Sequence, residues 1–471
     1  MLNKLRRFID KCNNFVNIYP KKLDKMDENI TRLQDDNKEI TKKLLEYQIN
    51  LNVLEGKIQN LEFKLDNVSS NFDCVNLEYM NLDWYMPKNK VLIIGFYGAP
   101  NLGDELMLHT ILKKLLLHKD TLDITVMMSE NYNFDITKYP KCKTIHYPKN
   151  IMDINTLANY YDIVIFGGGA LLDDSDYNLY TNRLSLNTIL VNLAYRMITC
   201  EKKVILYGLS SNNKLVNKEY INKLKFITEN ATYFSLRDTN SLEVLKECDL
   251  DTSKIKIVHD LVYTYNYSKY ITKKNESSVL KVGIIYICNE ENYKVLCNLT
   301  SALGKYLNDT KQKYKMVMIP FYEYLNNDTN YYQKLVDELK DNNIEVLTYP
   351  NPIEDIFNII SKLDICISMR YHGTLIGNML GTPTLNLLYD AHRHYINKVN
   401  YLYDKYGYNN YQVQFSKVSN EKFIDTFKTV CKMTKNININ KKIYMEANKQ
   451  IDDVINSIVI ENEEEKWKTY L

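Results

Sequence analysis

Between residues 23 and 68 the apolar positions recur every three and four residues without a skip. Leu23, Ile30, Leu44, Leu51, Ile58 and Leu65 fall in one series with Asn37 among them. Met26, Leu33, Ile40, Tyr47, Leu54, Leu61 and Val68 fall in the other, and Glu, Lys and Asp fill the flanks. Sustained over more than six heptads, the spacing predicts a left-handed coiled coil roughly 70 Å long. Asn37 in the apolar seam favours one register, so the segment reads as a homo-oligomer contact; a long single helix lying on the body is the alternative. Residues 1–22 keep the same phase through Leu2, Leu5, Ile9, Cys12, Val16 and Tyr19, but Pro20 interrupts a continuous helix. They read as a short amphipathic segment that extends the coil or touches a membrane surface. Residues 69–89 lose the period and read as a linker.

From residue 90 the period shortens. Apolar runs of strand length, "VLIIGFY" (91–97), "DITVMM" (123–128), "DIVIFG" (162–167), "KVILYGL" (203–209), "YFSLRD" (233–238) and "IKIV" (255–258), alternate with helical stretches such as "DELMLHTILKKLLLH". A polar break at 267–279 separates them from "KVGIIYI" (281–287), "YKMVMIP" (314–320), "IEVLTY" (344–349), "DICISM" (364–369) and "TLNLLY" (384–389). The expected fold is α/β: two Rossmann-like domains, 90–266 and 280–417, facing a cleft at the carboxyl ends of their strands. Residues 418–471 form a charged helical tail, packed across the domains or trailing into solvent.

Composition narrows the function classes. Hydrophobic residues make up 45% and charged residues 25%, and the formal net charge of +2 gives no argument for nucleic acid as a partner. Nine cysteines form no C-x-x-C pair, which excludes a recognisable zinc ribbon and reads as reduced thiols. No apolar run approaches the length of a membrane span, and charge interrupts the N-terminus too early for a secretory signal. A cytoplasmic protein without a transmembrane segment is expected.

The chemistry-bearing motifs sit where strands end. "GFYGAPNLGDE" (95–105) opens a helix with Asp104 and Glu105 in its first turn. Gly95, Gly98 and Gly103 leave backbone N–H groups accessible, as an anion cradle needs. "FGGGALLDD" (166–174) places Gly167, Gly168 and Gly169 after a strand, where close approach by a ligand or another backbone is expected. "SLRD" (235–238) ends in an Arg–Asp pair that suits an anion or a structural salt bridge equally. In "SMRYHGT" (368–374) Arg370 offers a fork of donors for carboxylate or phosphate, and His372, beside Gly373, can do acid–base work near neutral pH. Asp173, Asp174 and Asp176 read as solvated loop carboxylates, and no metal site is expected.

In that order, with "HD" at 259–260 and the continuation "LIGNMLGTPTLNLLYD", these motifs resemble the polysaccharide pyruvyl transferase family over about residues 91–395. The resemblance implies a GT-B-like fold. It also implies transfer of a pyruvyl ketal from phosphoenolpyruvate to two hydroxyls of a glycan sugar, with phosphate released and no further cofactor. It gives Arg370 the donor's carboxylate or phosphate, His372 the general acid, and Asp104 the base or an acceptor contact. Asn101 and Gly103 would lie across the cleft with Gly98, Gly167–Gly169 would give backbone contacts, and Arg237 a second anion contact. The family's lysine shortly after "YD" is replaced by "YDAHRHY", so either Arg393 supplies that cation or the donor is held differently. A glycosyltransferase with a nucleotide-sugar donor, and a non-catalytic glycan-binding scaffold oligomerised by the coiled coil, are the competing readings.

Overall fold

The computed structural model describes residues 3–11, scattered positions from 13 to 43, and residues 89–470 except 119–120, 130–138, 140–141, 180–183, 212, 271–277, 325–326, 391–392, 407–410 and 434–440. The chain divides into two compact units, Met1–Met80 and Asn81–Leu471. In the first unit the described positions are helical. Residues 44–88, which hold the second half of the expected coiled coil and almost all of the expected linker, lie outside the described residues.

The second unit contains two parallel sheets. The first comprises β1 (Asn89–Ile94), β2 (Leu122–Met128), β3 (Cys142–His146), β4 (Ile163–Leu172), β5 (Lys203–Ser211), β6 (Tyr233–Leu236) and β7 (Lys256–Ile257). Its spatial order is β3-β2-β1-β4-β5-β6-β7. The second comprises β8 (Leu280–Ile285), β9 (Tyr314–Met318), β10 (Ile344–Val346), β11 (Ile365–Ser368), β12 (Thr384–Leu388) and β13 (Gln412–Gln414), in the order β10-β9-β8-β11-β12-β13. The central strands are apolar runs buried on both faces, as helices covering a parallel sheet require. β3 and β13 were not expected. Both are edge strands: β3 is largely solvent-facing and β13 has three residues, so neither writes a continuous apolar run.

Five of the helices bear on the site: α1 (Leu102–Leu115), α2 (Thr239–Lys246), α3 (Tyr371–Met379), α4 (Arg393–Tyr406) and α5 (Lys441–Tyr470). α1 starts after β1, with Asp104 and Glu105 at its positive end and Lys113 and Lys114 in its last turn. α5 belongs to the segment read as a tail. Ile443, Ala447, Ile451, Val454, Ile455, Ile458 and Val459, at helical spacing, are buried in one core with Leu112 and Leu115 of α1 and with Val262 and Tyr263. Lys114 of α1 pairs with Asp452 of α5 at 2.8 Å.

The two sheets are joined through their loops. Leu102 N–H donates to the Phe321 carbonyl and Glu323 N–H to the Pro100 carbonyl, each at 2.9 Å, and Asn101 bridges Tyr322. At the far end of α1, Glu354 accepts from Lys113 at 2.8 Å. The first domain's Asn240, in α2, donates to the Asn397 carbonyl of α4 at 2.9 Å. These contacts bring the carboxyl ends of β6 and β7 opposite the start of α3.

Candidate functional site

His372 is the second residue of α3, a helix that starts three residues after the last residue of β11. Its Nε2 lies 3.6 Å from Asp260 Oδ2, an ion-pair distance across the domain boundary. Asp260 itself is buried, three residues past β7, where it caps the turn Leu261–Thr264. It accepts from Arg237 Nη1 at 2.7 Å and from the Val262 N–H at 3.0 Å. Arg237 follows β6, and its guanidinium lies 4.6 Å from the centre of the Tyr371 ring. Thus the first domain supplies Asp260 and Arg237, and the second supplies His372 and Tyr371.

Electrostatics follows from this clustering. Burial would raise the Asp260 carboxyl, but His372 and Arg237 outweigh it and hold the group well below the usual carboxylate range. Burial would lower Arg237, but Asp260, then Tyr371 and Asp238, raise it, so the cation is permanent. Asp104, half-buried in the first turn of α1, is pushed up to about 6: burial and the Asp260 charge raise it more than His372, Arg237 and Lys398 lower it. Its neighbour Glu105 is pushed up to about 8 by burial, against the hydrogen bond it accepts from the Gly98 N–H at 3.0 Å.

Lys398, a buried residue of α4, is drawn down to about 7, first by burial and then by the Arg237 charge, while Asp238, Asp173 and Asp104 work the other way. Sequence reasoning passed over it because it stands nine residues beyond Tyr389, on the second turn of a helix. Asp260 was visible in "HD" but carried no role, since only folding brings it against Arg237 and His372. Its neighbour His259 acts elsewhere: it holds Tyr406 of α4 at 2.8 Å and Glu446 of α5 at 3.1 Å.

The other expected site residues divide into groups. Gly103 belongs to the site: a Cβ there would lie 1.8 Å from His372 Nδ1, so only glycine lets the imidazole lie on the start of α1. Gly169 has φ +91°, and a Cβ on it would come within 3.2 Å of Asp104 Oδ1. Gly167 and Gly168 instead serve packing: Cβ atoms there would meet Ile111 Cδ1 at 2.2 Å and Met107 Sδ at 2.5 Å. They let α1 lie against β4, a packing need that the sequence did not reveal. Gly373 is likewise pressed against Ser368 Oγ of β11, 2.5 Å from where its Cβ would stand.

Part of the expected anion cradle is used internally. Gly98, at φ +72°, gives its N–H to Glu105, and the Leu102 N–H goes to Phe321. Asn101 sits in the interdomain bridge. Arg370 is paired: Nη2 donates to Asp328 Oδ1 at 2.7 Å, while Asp328 also accepts the N–H groups of Phe321 and Tyr322 at 2.9 Å. Arg370 Nε and, beside Asp260, Arg237 Nε and His372 Nε2 are buried without a hydrogen-bond partner, donors suited to a ligand. Arg393 opens α4, and its side chain lies outside the described residues, as does His392. Asp173 and Asp174 are buried rather than solvated, holding Asn213 Nδ2 at 2.7 Å and the N–H groups of Val216 and Asn217.

Two Rossmann-like parallel-sheet domains with a charged cluster between them define a GT-B-like architecture. Among solved structures the fold is similar to UDP-GlcNAc 2-epimerase from Methanocaldococcus jannaschii, with TM-score 0.51 and 13% identity over 79% of this chain and 100% of that one. It is also similar to MurG from Acinetobacter baumannii, with TM-score 0.50 and 11% identity over 79% and 100%. Comparison with curated proteins finds no match. The chain belongs to the polysaccharide pyruvyl transferase family, which matches residues 101–391 and places it among glycan-modifying transferases. Among the described residues no helix is long and apolar enough to cross a membrane, and no group of three His, Cys, Asp or Glu could hold a metal ion.

Proposed function

We propose that the protein transfers a pyruvyl ketal from phosphoenolpyruvate to two hydroxyls of a glycan sugar and releases phosphate. The observation that carries this reading is the meeting of Arg237, Lys398 and His372 with Asp104 and Asp260 at the domain boundary. A small donor with a carboxylate and a phosphate needs several cations in one place and a proton donor beside its methylene carbon. Family membership supports the same reading.

In this mechanism Arg237 and Lys398 hold the donor's negative charge. Arg370, its Nη2 kept by Asp328, offers its remaining donors to the carboxylate. His372, oriented by Asp260, delivers a proton to the methylene carbon, which becomes a methyl group and leaves the adjacent carbon electrophilic. One sugar hydroxyl adds there and gives its proton to Asp104. The carbon–oxygen bond to phosphate then breaks, the second hydroxyl adds, and its proton leaves with the phosphate. The carbon–carbon double bond is exchanged for a C–H and a C–O bond, and the second new C–O bond replaces the one to phosphate. The proton taken by Asp104 makes good the one given by His372, so no oxidant or reductant is required. Homo-oligomerisation through residues 23–68 and a cytoplasmic location belong to the same reading.

Calorimetric titration with phosphoenolpyruvate, beside UDP- and GDP-sugars, tests the donor. Binding of phosphoenolpyruvate that is lost in Arg237→Ala supports the reading. Binding of a nucleotide sugar and not of phosphoenolpyruvate moves the chemistry to glycosyl transfer, and binding of neither by a folded protein favours the scaffold.

The perturbed groups set a pH window. Asp104 must be ionised to accept a proton and Lys398 protonated to hold an anion. With Asp104 at about 6 and Lys398 at about 7, kcat/KM should rise as pH climbs through the first value and fall beyond the second. Lys398→Arg keeps its charge at higher pH and should remove the fall in calorimetric phosphoenolpyruvate affinity above about 7; a fall that persists unchanged in that variant refutes the Lys398 assignment.

Two glycine substitutions separate site from scaffold. Gly103→Ala displaces the His372 imidazole and should lower turnover on the order of 10²-fold, as an ångström-scale misplacement does. Gly167→Ala drives a methyl into Ile111 and should instead lower stability by about 1–3 kcal/mol. Parallel turnover and thermal-unfolding measurements check both; equal effects on the two properties would refute the division.

A further inference from the structure

We propose that the N-terminal helix docks on an anionic lipid surface. Residues 3–11 are helical, and with about 3.6 residues per turn Leu5, Phe8 and Ile9 share one face. These three side chains are 63%, 67% and 49% exposed. Between residues 3 and 11 the charged positions are Lys4, Arg6, Arg7 and Lys11, against Asp10 alone. Helical spacing puts Lys4 and Lys11 along the Phe8 edge and Arg6 along the Ile9 edge. There their aliphatic stems can lie on the apolar face while the cations reach lipid phosphates. Five charges in nine residues rule out crossing a bilayer, whereas an apolar stripe bordered by cations suits its interface.

Sequence and charge favour lipid over a second copy of the chain. In the heptad phase that runs on through residues 23–68, Ile9 takes an a position and Leu5 a d position. Phe8 then falls at g and Arg6 at e, so the apolar face is wider than a coiled-coil seam and has no acidic partner flanking it. Packing two such helices in parallel would bring like charges together without an opposing set. An anionic headgroup layer supplies that set and covers the apolar residues as well.

The test is co-sedimentation of the full chain with phosphatidylcholine vesicles, with and without phosphatidylglycerol, at low and high salt. Binding is expected with phosphatidylglycerol at low salt and should weaken when either the anionic lipid is omitted or salt is raised. At about fivefold per basic residue, Arg6→Glu with Arg7→Glu should weaken it more than about twentyfold. Leu5→Ser with Phe8→Ser should abolish it, and neither pair should change the sedimenting mass without lipid. Equal binding to both vesicle types, or none, overturns the proposal. So does a fall in oligomer mass in the Leu5 and Phe8 variant, which would give this face to a second copy.

Discussion

His372→Ala is expected to lower turnover by about 10²–10⁴-fold while leaving the folded state intact. The loss follows from position: the imidazole lies on Gly103 of α1, with Nε2 3.6 Å from Asp260 Oδ2. That carboxylate faces the ring from the first domain, so the imidazole is placed from both sides of the domain boundary. Stability is spared because Asp260 does not depend on His372 alone. With the ring removed, Asp260 still accepts from Arg237 at 2.7 Å and from the Val262 N–H at 3.0 Å, so no buried charge is orphaned. Turnover measured as phosphate release, beside a thermal-unfolding curve, decides it. A folded His372→Ala protein with parental turnover would remove the acid assignment.

Arg370→Ala should act through the fold as much as through the donor, by about 3–5 kcal/mol of stability. Its partner Asp328 is fully buried in the second domain, and burial already raises that carboxyl despite Arg370 and the N–H groups of Phe321 and Tyr322. Deleting the guanidinium leaves Asp328 to become neutral or to stay charged without a counterion. Either outcome loosens the 321–323 loop, which holds Asn101 and Leu102 across the domain boundary. Urea unfolding of Arg370→Ala and Arg370→Lys separates the roles: the lysine restores a charge for Asp328 but not the planar fork. An Arg370→Ala protein as stable as the parent would show that the ion pair carries no structural weight. A stable Arg370→Lys protein that binds phosphoenolpyruvate normally would take Arg370 out of donor binding.

How far the sequence could be read depended on whether the signal was local. Central strands such as β1, β4, β8 and β11 are uninterrupted apolar runs because helices cover both faces, and that burial writes itself into consecutive residues. β3 and β13, exposed or short, left no such trace. The motifs at strand ends were legible for a related reason: ligands approach parallel sheets at their carboxyl ends, so Asp104, Arg237 and His372 stand beside recognisable strands.

Roles within those motifs were a different matter. Gly103 and Gly167 look alike in the sequence, yet one makes room for His372 and the other for Ile111, a distinction that rests on which side chain from another element arrives there. Arg370 and Arg237 are both arginines just after a strand, but folding gives the first a buried partner 42 residues away and the second a carboxylate shared with His372. Lys398 carries no motif; its position on α4, facing the charges of Asp104, Asp173 and Asp238, makes it part of the site. The two parallel sheets, the order of their motifs and the family were readable along the chain, because apolar periodicity and strand-end glycines are properties of neighbouring residues. Which charged groups meet is set by folding, because each pairing spans tens to hundreds of residues and its energy depends on distance and on exclusion from water.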